Sequence, residues 1–491
     1  MSGGADEDTI EKLRAENAAL KHQLTTALQE ALQEIQALRK EVAEVHALRK
    51  EVAELRERLS QNSQNSGRPP SSDPPSAPAR PPKRRSGRKP GGQPGHDGHQ
   101  RMMLPVPDRN VRNVKPTKCK RCGTRLAGQD DPNPYRHQVI EIPEPRPEVH
   151  EWRLHACLCG NCGETTRAEL PDGVQPGGFG PRLIAAIALL SGAYRMSKRL
   201  TVALLATLHG VPISLGSITT AEKLASNAVA APVAVAQKYI REQGVKHADE
   251  SSWLEGVSRS KVWLWVASCP QVTVFLIRAS RGADVAREIL GEVFGVLVSD
   301  RWSGYNWWPL AWRQVCWAHI KRHFQSFVET HDPEAQSIGR SLLRHEKRLF
   351  AMWHRVRDGT LKRSSFQTYV SVIRRRVRKL LERGELSLHD KTAGTCRELL
   401  EVEQAMWTFA RVEGVEPTNN HGERAIRPGV ILRKLTFGTH SIEGSRFVER
   451  MLSVVQTLRQ QNRNALDFVT ECVRAQMAGQ KTAASLLPNT V

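Results

Sequence analysis

The pattern that most restricts the fold lies between residues 245 and 300. Short apolar runs of period-two character occupy 261–267, 272–277 and 296–300, and a helical stretch occupies 283–291. With an opening strand from Val245, this reads as strand, strand, strand, helix, strand. In that order the first and fourth strands are neighbours. Asp249 and Asp300, each at an apparent strand end, are therefore expected side by side, although 51 residues separate them.

A third acidic residue completes the pattern. Glu423 stands in Asn-Asn-His-Gly-Glu-Arg-Ala-Ile-Arg-Pro, where Asn419 or Asn420 is placed to cap a helix and Pro428 to stop it. Three converging carboxylates supply the shared hard oxygen ligands that two magnesium ions about 3.5–4 Å apart require. The plainer alternative has Asp300 capping a turn and Glu423 paired with a neighbouring arginine. Arg424 and Arg427 are candidates either to clamp DNA phosphates or to pair with acidic side chains.

The formal charge of +21 favours a polyanionic partner, because each phosphate neutralised by Lys or Arg releases condensed counterions. Double-stranded DNA fits best and an anionic membrane is second. No apolar run reaches the roughly 20 residues that span a bilayer, and the N-terminus has no signal-like apolar core, so a cytoplasmic, nucleoid-associated protein is expected. With 491 residues and a Pro/Ser-rich gap, the chain is expected to fold as at least three separately packed units.

Residues 8–59 contain no proline or glycine and place apolar residues at Leu13, Leu20, Leu24, Leu28, Ile35, Leu38, Val42 and Val45. A coiled coil that joins copies of the chain is expected, with a helix packed on the body as the alternative. The repeat of Ala-Leu-Arg-Lys-Glu-Val-Ala-Glu after ten residues shifts the seam locally. Residues 60–101 read as a disordered basic linker whose Lys83, Arg84 and Arg85 can touch DNA phosphates.

In 102–168, Cys119-x-x-Cys122 and Cys159-x-x-Cys162 enclose alternating stretches at 138–142 and 149–154. Two knuckles joined by a hairpin of these stretches describe a zinc ribbon with four thiolates and no open position, hence structural zinc, with Cys157 as a rival to Cys159. The region 178–240 is helical and resembles a helix-turn-helix, with a turn at Ala206 to Gly210 and a second helix from about Ser214 that presents Ser217, Thr219 and Thr220 to a groove. Cys316 and His319, three apart on a helix, bind metal or pack; two ligands are too few for zinc, so packing is expected. Residues 330–415 form an all-helical insertion within an α/β domain at 245–440. Its stripes are Ile338, Leu342, Leu349, Trp353 and Val356, then Phe366, Val370, Ile373, Val377 and Leu380. A helical segment at 441–491 ends the chain.

The strand order is that of an RNase H-like core, and the assembled motifs resemble the insertion-sequence 66 family of bacterial transposases. The resemblance rests on Gly-Gly-Gln-Pro-Gly-His at 91–96, the two Cys-x-x-Cys pairs, Ser-Asp-Arg-Trp-Ser-Gly-Tyr at 299–305, Cys-Trp-Ala-His at 316–319 and the Glu423 segment at 419–428. It implies a DDE-type domain in which Asp249, Asp300 and Glu423 hold catalytic Mg2+ or Mn2+. It also implies binding of the element's terminal repeats, DNA cleavage and strand transfer, and accessory proteins of the same element. Where the family usually shows Asp-Glu-Thr, this chain has Asp249-Glu250-Ser251, which leaves Glu250 as a rival ligand. The alternatives are a catalytically inactive DNA-binding relic or regulator, and a nuclease without joining activity.

Overall fold

The computed structural model describes residues 4–66, 73, 101–106, 111–171, 174 and 177–488. They form two compact units, one on 4–66, 177–197 and 219–488, the other on the described parts of 101–174 together with 198–218. Lys83, Arg84, Arg85 and the 91–96 motif lie outside the described residues.

In the larger unit, α1 (Gly4–Leu59) is one unbroken helix, as its lack of proline and of any glycine after Gly4 allows. Its heptad-like apolar residues are exposed, Leu20 at 65% and Leu24 at 69%. The segment just after it departs from the expected disorder. Asn62, Ser63 and Asn65 are buried, because their short polar side chains satisfy the backbone locally and Asn65 Nδ2 reaches Glu329 Oε2 at 2.6 Å. Glu57 lies 3.2 Å from His389.

The smaller unit contains both Cys-x-x-Cys turns. Each closes on itself: Cys119 N–H donates to Thr124 O and Gly123 N–H to Cys119 O, and Cys159 and Gly163 repeat the pattern with Glu164 O and Cys159 O. The glycines take positive φ, as such a turn demands. The second turn is flanked by β1 (Ala156–Leu158) and β2 (Thr165–Arg167). The expected strands at 138–142 and 149–154 do not form. Pro143, Pro145 and Pro147 between them lack the N–H groups that a ladder needs, and both stretches stay exposed except at the half-buried Gln138 and Leu154. Next in the chain come α2 (Pro181–Gly192), α3 (Lys198–His209) and α4 (Leu215–Ala228). Gly210, at positive φ, ends α3 by donating to Ala206 O, and Ser214 Oγ receives Ser217 N–H where α4 begins.

After α5 (Ala230–Arg241) comes a mixed sheet built from β3 (Val245–Glu255), β4 (Ser260–Ser268), β5 (Thr273–Arg278), β6 (Val296–Ser299) and β7 (Arg313–Val315), with α6 (Ala283–Leu290) between β5 and β6. The spatial order is β5-β4-β3-β6-β7, so the first and fourth strands of the series are neighbours as expected. Pairs β3–β4 and β4–β5 are antiparallel, and β3–β6 and β6–β7 are parallel.

Helices α7 (Trp317–Val328), α8 (Pro333–Arg357), α9 (Arg363–Glu385), α10 (Asp390–Glu401) and α11 (Thr408–Arg411) share a core with the edge of the sheet. Both expected stripes contribute to that core, except that Leu381 is fully buried where Leu380 is only partly so. The chain returns as α12 (Asn420–Thr436), then α13 (Ile442–Gln460) and α14 (Ala465–Met477).

Helix α12 runs straight through Pro428, contrary to the expected stop. Its face of Gly422, Ile426, Gly429 and Leu432 is buried, and α12 packs on β3 and β4, with Leu264 standing where a side chain at 429 would go. That burial offsets the roughly 3 kcal/mol an internal proline costs.

The C-terminal segment belongs to the same unit. Thr457, Ser453 and Glu449, four apart on α13, accept the outward N–H groups of Thr273, Phe275 and Ile277, two apart on edge strand β5. Four helical residues rise about 6 Å and two strand residues about 6.8 Å, so the rows match and the sheet edge is covered.

Candidate active site

Parallel register brings the two aspartates together. His247 on β3 pairs with Val298 on β6, so two residues further on Asp249 stands level with Asp300. Asp249 thus lies inside β3, at the point where β6 ends. The half-buried Asp249 carboxyl is pushed well above the usual carboxylate range by burial, then by the nearby charges of Glu250, Asp300 and Glu423. Asp249 therefore lies within electrostatic reach of both other expected carboxylates, although the three do not form a group with ligand atoms within 4.8 Å of one another.

The rival ligand is occupied. Glu250, its side chain 1% exposed, accepts two bonds from Arg281 at 2.7 and 3.1 Å and one from Tyr305 OH at 2.6 Å. Burial holds its carboxyl up at about 7, with the charge of Asp300 adding to the shift while Tyr305 and Arg281 oppose it. Arg281 in turn lies 3.8 Å over the Trp302 ring and receives the Trp302 indole N–H on its carbonyl. Glu250 is a strut for the loop that follows Asp300.

That loop is fixed from two sides. One Asp300 oxygen accepts Trp302 N–H at 2.9 Å, and the fully buried Arg313 donates to the carbonyls of Asp300 and Trp302 and to Asn306.

Glu423 sits in the first turn of α12, and Asn419 determines where that turn lies. Asn419 occupies the cap position, but its side chain does not cap the helix. Its Nδ2 donates to Ala248 O at 2.8 Å, which leaves Oδ1 to accept from His247 Nδ1–H at 3.0 Å, both partners lying just before Asp249. Its carbonyl accepts Glu423 N–H, and its N–H donates to Cys316 Sγ at 3.2 Å. Cys316 N–H donates to Ser299 O, next to Asp300. One buried asparagine and one buried cysteine thus tie together the three segments that carry the carboxylates. Gly422 is part of this clip, because a Cβ there would lie 2.7 and 2.8 Å from the Asn419 amide atoms.

Cys316 is fully buried, as packing requires, and His319 is partly exposed beside Glu423. With Glu423 they form the one group of three or more ligand side chains, among the described residues, whose ligand atoms lie within 4.8 Å of one another. The four knuckle cysteines form no such group, and Cys157, paired with Thr166 in the hairpin, stands outside the turn made by Cys159 and Cys162.

Of the expected DNA-contacting residues, Arg424 and Arg427 are exposed on α12 and pair with no acidic side chain among the described residues. Thr219 is exposed on α4, whereas Ser217 is partly buried with its hydroxyl 2.9 Å from Ser214 Oγ. No helix among the described residues is long and apolar enough to cross a membrane.

Comparison with known proteins bears on this arrangement. Residues 9–102 match a family of unknown function. An uncharacterized protein, y4qI, of Sinorhizobium fredii is 24% identical over 238 residues, covering 43% of each chain, so the chain spans under half the length of this curated relative. Residues 176–446, which include β3, β6, α12 and all three carboxylates, match the transposase IS66 family. Since that match takes in more than half of the sequence, the chain belongs to the transposase IS66 family.

Proposed function

We propose that this protein binds the ends of an insertion sequence and catalyses metal-dependent DNA cleavage and strand transfer, with Asp249, Asp300 and Glu423 holding two Mg2+ or Mn2+ ions. The observation that carries the reading is the parallel register that sets Asp249 level with Asp300, with Glu423 in the first turn of the helix packed on β3. Three hard oxygen donors whose charges repel fit a divalent pair, which would relieve that repulsion. When bound, such a pair supplies activation of an attacking water or 3′-hydroxyl and stabilisation of the leaving phosphate oxygen.

The chain's own groups do the positioning. Trp302 N–H and Arg313 orient Asp300, and Asn419 sets Glu423 against Asp249. Arg424 and Arg427 offer guanidinium groups to phosphates along α12. The strand order supports reading the sheet as an RNase H-like core.

Zinc in the two knuckles, DNA contact through α4 and through Lys83, Arg84 and Arg85, self-association through α1 and help from accessory proteins of the same element belong to the same reading. The exposed apolar positions of α1 favour the self-association.

The test is joining of a labelled terminal-repeat oligonucleotide to plasmid DNA in Mg2+ or Mn2+, with and without the element's accessory proteins. Joined products from the wild type and none from Asp249→Asn, Asp300→Asn or Glu423→Gln are expected. Cleavage without joined products would make the protein a nuclease, and binding alone under every condition would overturn the catalytic reading.

A further inference from the structure

We propose that Cys316, His319 and Glu423 form a second cation site, distinct from the magnesium pair and suited to zinc or a similarly thiophilic ion. Cys316 is the residue before α7 and His319 lies one turn later, so both side chains reach the same side of the helix. Glu423 arrives from the first turn of α12, more than a hundred residues on in the sequence. The sulfur, the imidazole nitrogen and a carboxylate oxygen all lie within 4.8 Å of one another.

Two features point to a ligand rather than to packing. His319 Nδ1 and Glu423 Oε1 are buried atoms with no hydrogen-bond partner, and they stand 3.7 Å apart. That is too far for a direct bond, and two orphaned polar atoms facing each other require something between them. Ligands about 2.0–2.3 Å from a tetrahedral ion lie roughly 3.3–3.8 Å from each other, so the His–Glu separation already suits an ion and the sulfur needs only a small approach.

Burial pushes the Cys316 thiol up to about 11, and backbone contacts work against that shift. Asn419 N–H donates to Cys316 Sγ at 3.2 Å, a bond that stabilises charge on sulfur. The hydrophobic work of this turn falls to Trp317, which is fully buried in the core it shares with α8.

Chemistry separates this site from the neighbouring one. Magnesium takes oxygen ligands, whereas a thiolate, an imidazole and a carboxylate are the zinc set. Three protein ligands leave a fourth position open, the pattern of zinc sites that accept water or a substrate oxygen. Binding releases the Cys316 thiol proton to solvent. Glu423 has two oxygens, so one can serve this ion while the other serves the carboxylate cluster. His319 and Glu423 are 19% and 34% exposed, which gives the ion a route in.

The site is read out without any DNA reaction, so its failure is distinguishable from failure of the transposase reading. The full-length protein, stripped of metal, is titrated with Co2+ and separately reconstituted with Zn2+ in excess Mg2+, and bound zinc per chain is counted by mass spectrometry. Wild type should retain one more zinc than Cys316→Ser or His319→Gln, and both variants should lose part of the thiolate-to-cobalt charge-transfer band. A Cys157→Ser control should change neither. Because His319 is partly exposed, His319→Gln serves if Cys316→Ser fails to fold. Equal zinc counts and spectra in wild type and His319→Gln would overturn the proposal and leave water as the group between His319 and Glu423.

Discussion

Replacing Asn419 with alanine should do far more than remove a helix cap. The side chain bonds His247 and Ala248 O, and both partners are in the interior. Each buried group left unpaired costs about 1–3 kcal/mol, so the loss for Asn419→Ala should be about 2–6 kcal/mol. The start of α12 would also lose its tie to β3, and a 1 Å misplacement of a reacting group costs on the order of 10²-fold in rate. The half-saturating Mn2+ concentration for joining should rise together with that loss.

Gly422 gives the same clip a second handle. Gly422→Ala drives a methyl group into the Asn419 amide, so it should destabilise the wild type. In the Asn419→Ala background the obstacle is gone, and the change should become neutral or stabilising by up to about 1 kcal/mol, since alanine is the better helix former. Urea unfolding of the four proteins measures this reversal. A Gly422→Ala cost that is the same with and without Asn419, or an Asn419→Ala protein within about 0.5 kcal/mol of wild type, would refute the reasoning.

Asp300→Asn should abolish joining yet raise the stability of the metal-free protein. A carboxyl raised on folding loses stability as pH climbs from its unfolded value, so the Asp249 penalty grows with pH. Thermal unfolding in chelator from pH 5 to 8 should show a shallower decline for Asp300→Asn than for wild type. Arg281→Ala should cost about 3–5 kcal/mol by leaving the buried Glu250 without its cationic partner, and Glu250→Gln in that background should recover part of it. His247 is held down at about 4 by burial first and then by the charge of His421. A depressed base loses stability as pH falls, so between pH 6.5 and 4 this residue should account for about 3 kcal/mol of acid destabilisation. A flatter acid limb in His247→Gln checks it.

What the sequence discloses here depends on how local the deciding force is. The neighbouring of β3 and β6 is legible because period-two runs and a connecting helix prescribe it, and Asp249 and Asp300 follow from that register. The helical stripes are legible because each is one face of one helix, with an error of one residue at Leu380. The role of Asn419 is not, since an asparagine before a helix reads as a cap and its partners lie 171 and 172 residues away. Pro428 reads as a stop only until the buried face of α12 is weighed against one missing N–H. The pairing of Cys316 and His319 with Glu423 was equally out of reach, because the third ligand comes from a distant helix. The strands expected at 138–142 and 149–154 fail through the prolines between them, a local signal outweighed in the reading by the alternation.

The central claim is that three distant segments converge on one pair of divalent ions, and iron-directed backbone cleavage tests it most directly. Fe2+ replaces the divalent ions in the zinc-loaded protein, ascorbate and peroxide generate hydroxyl radicals, and the cut sites are read by mass spectrometry. The account predicts cuts clustered near Asp249, Asp300 and Glu423 that compete with Mg2+ and disappear together in Asp300→Asn. Cuts at one or two of these segments only, or a pattern unchanged by Asp300→Asn, would contradict it.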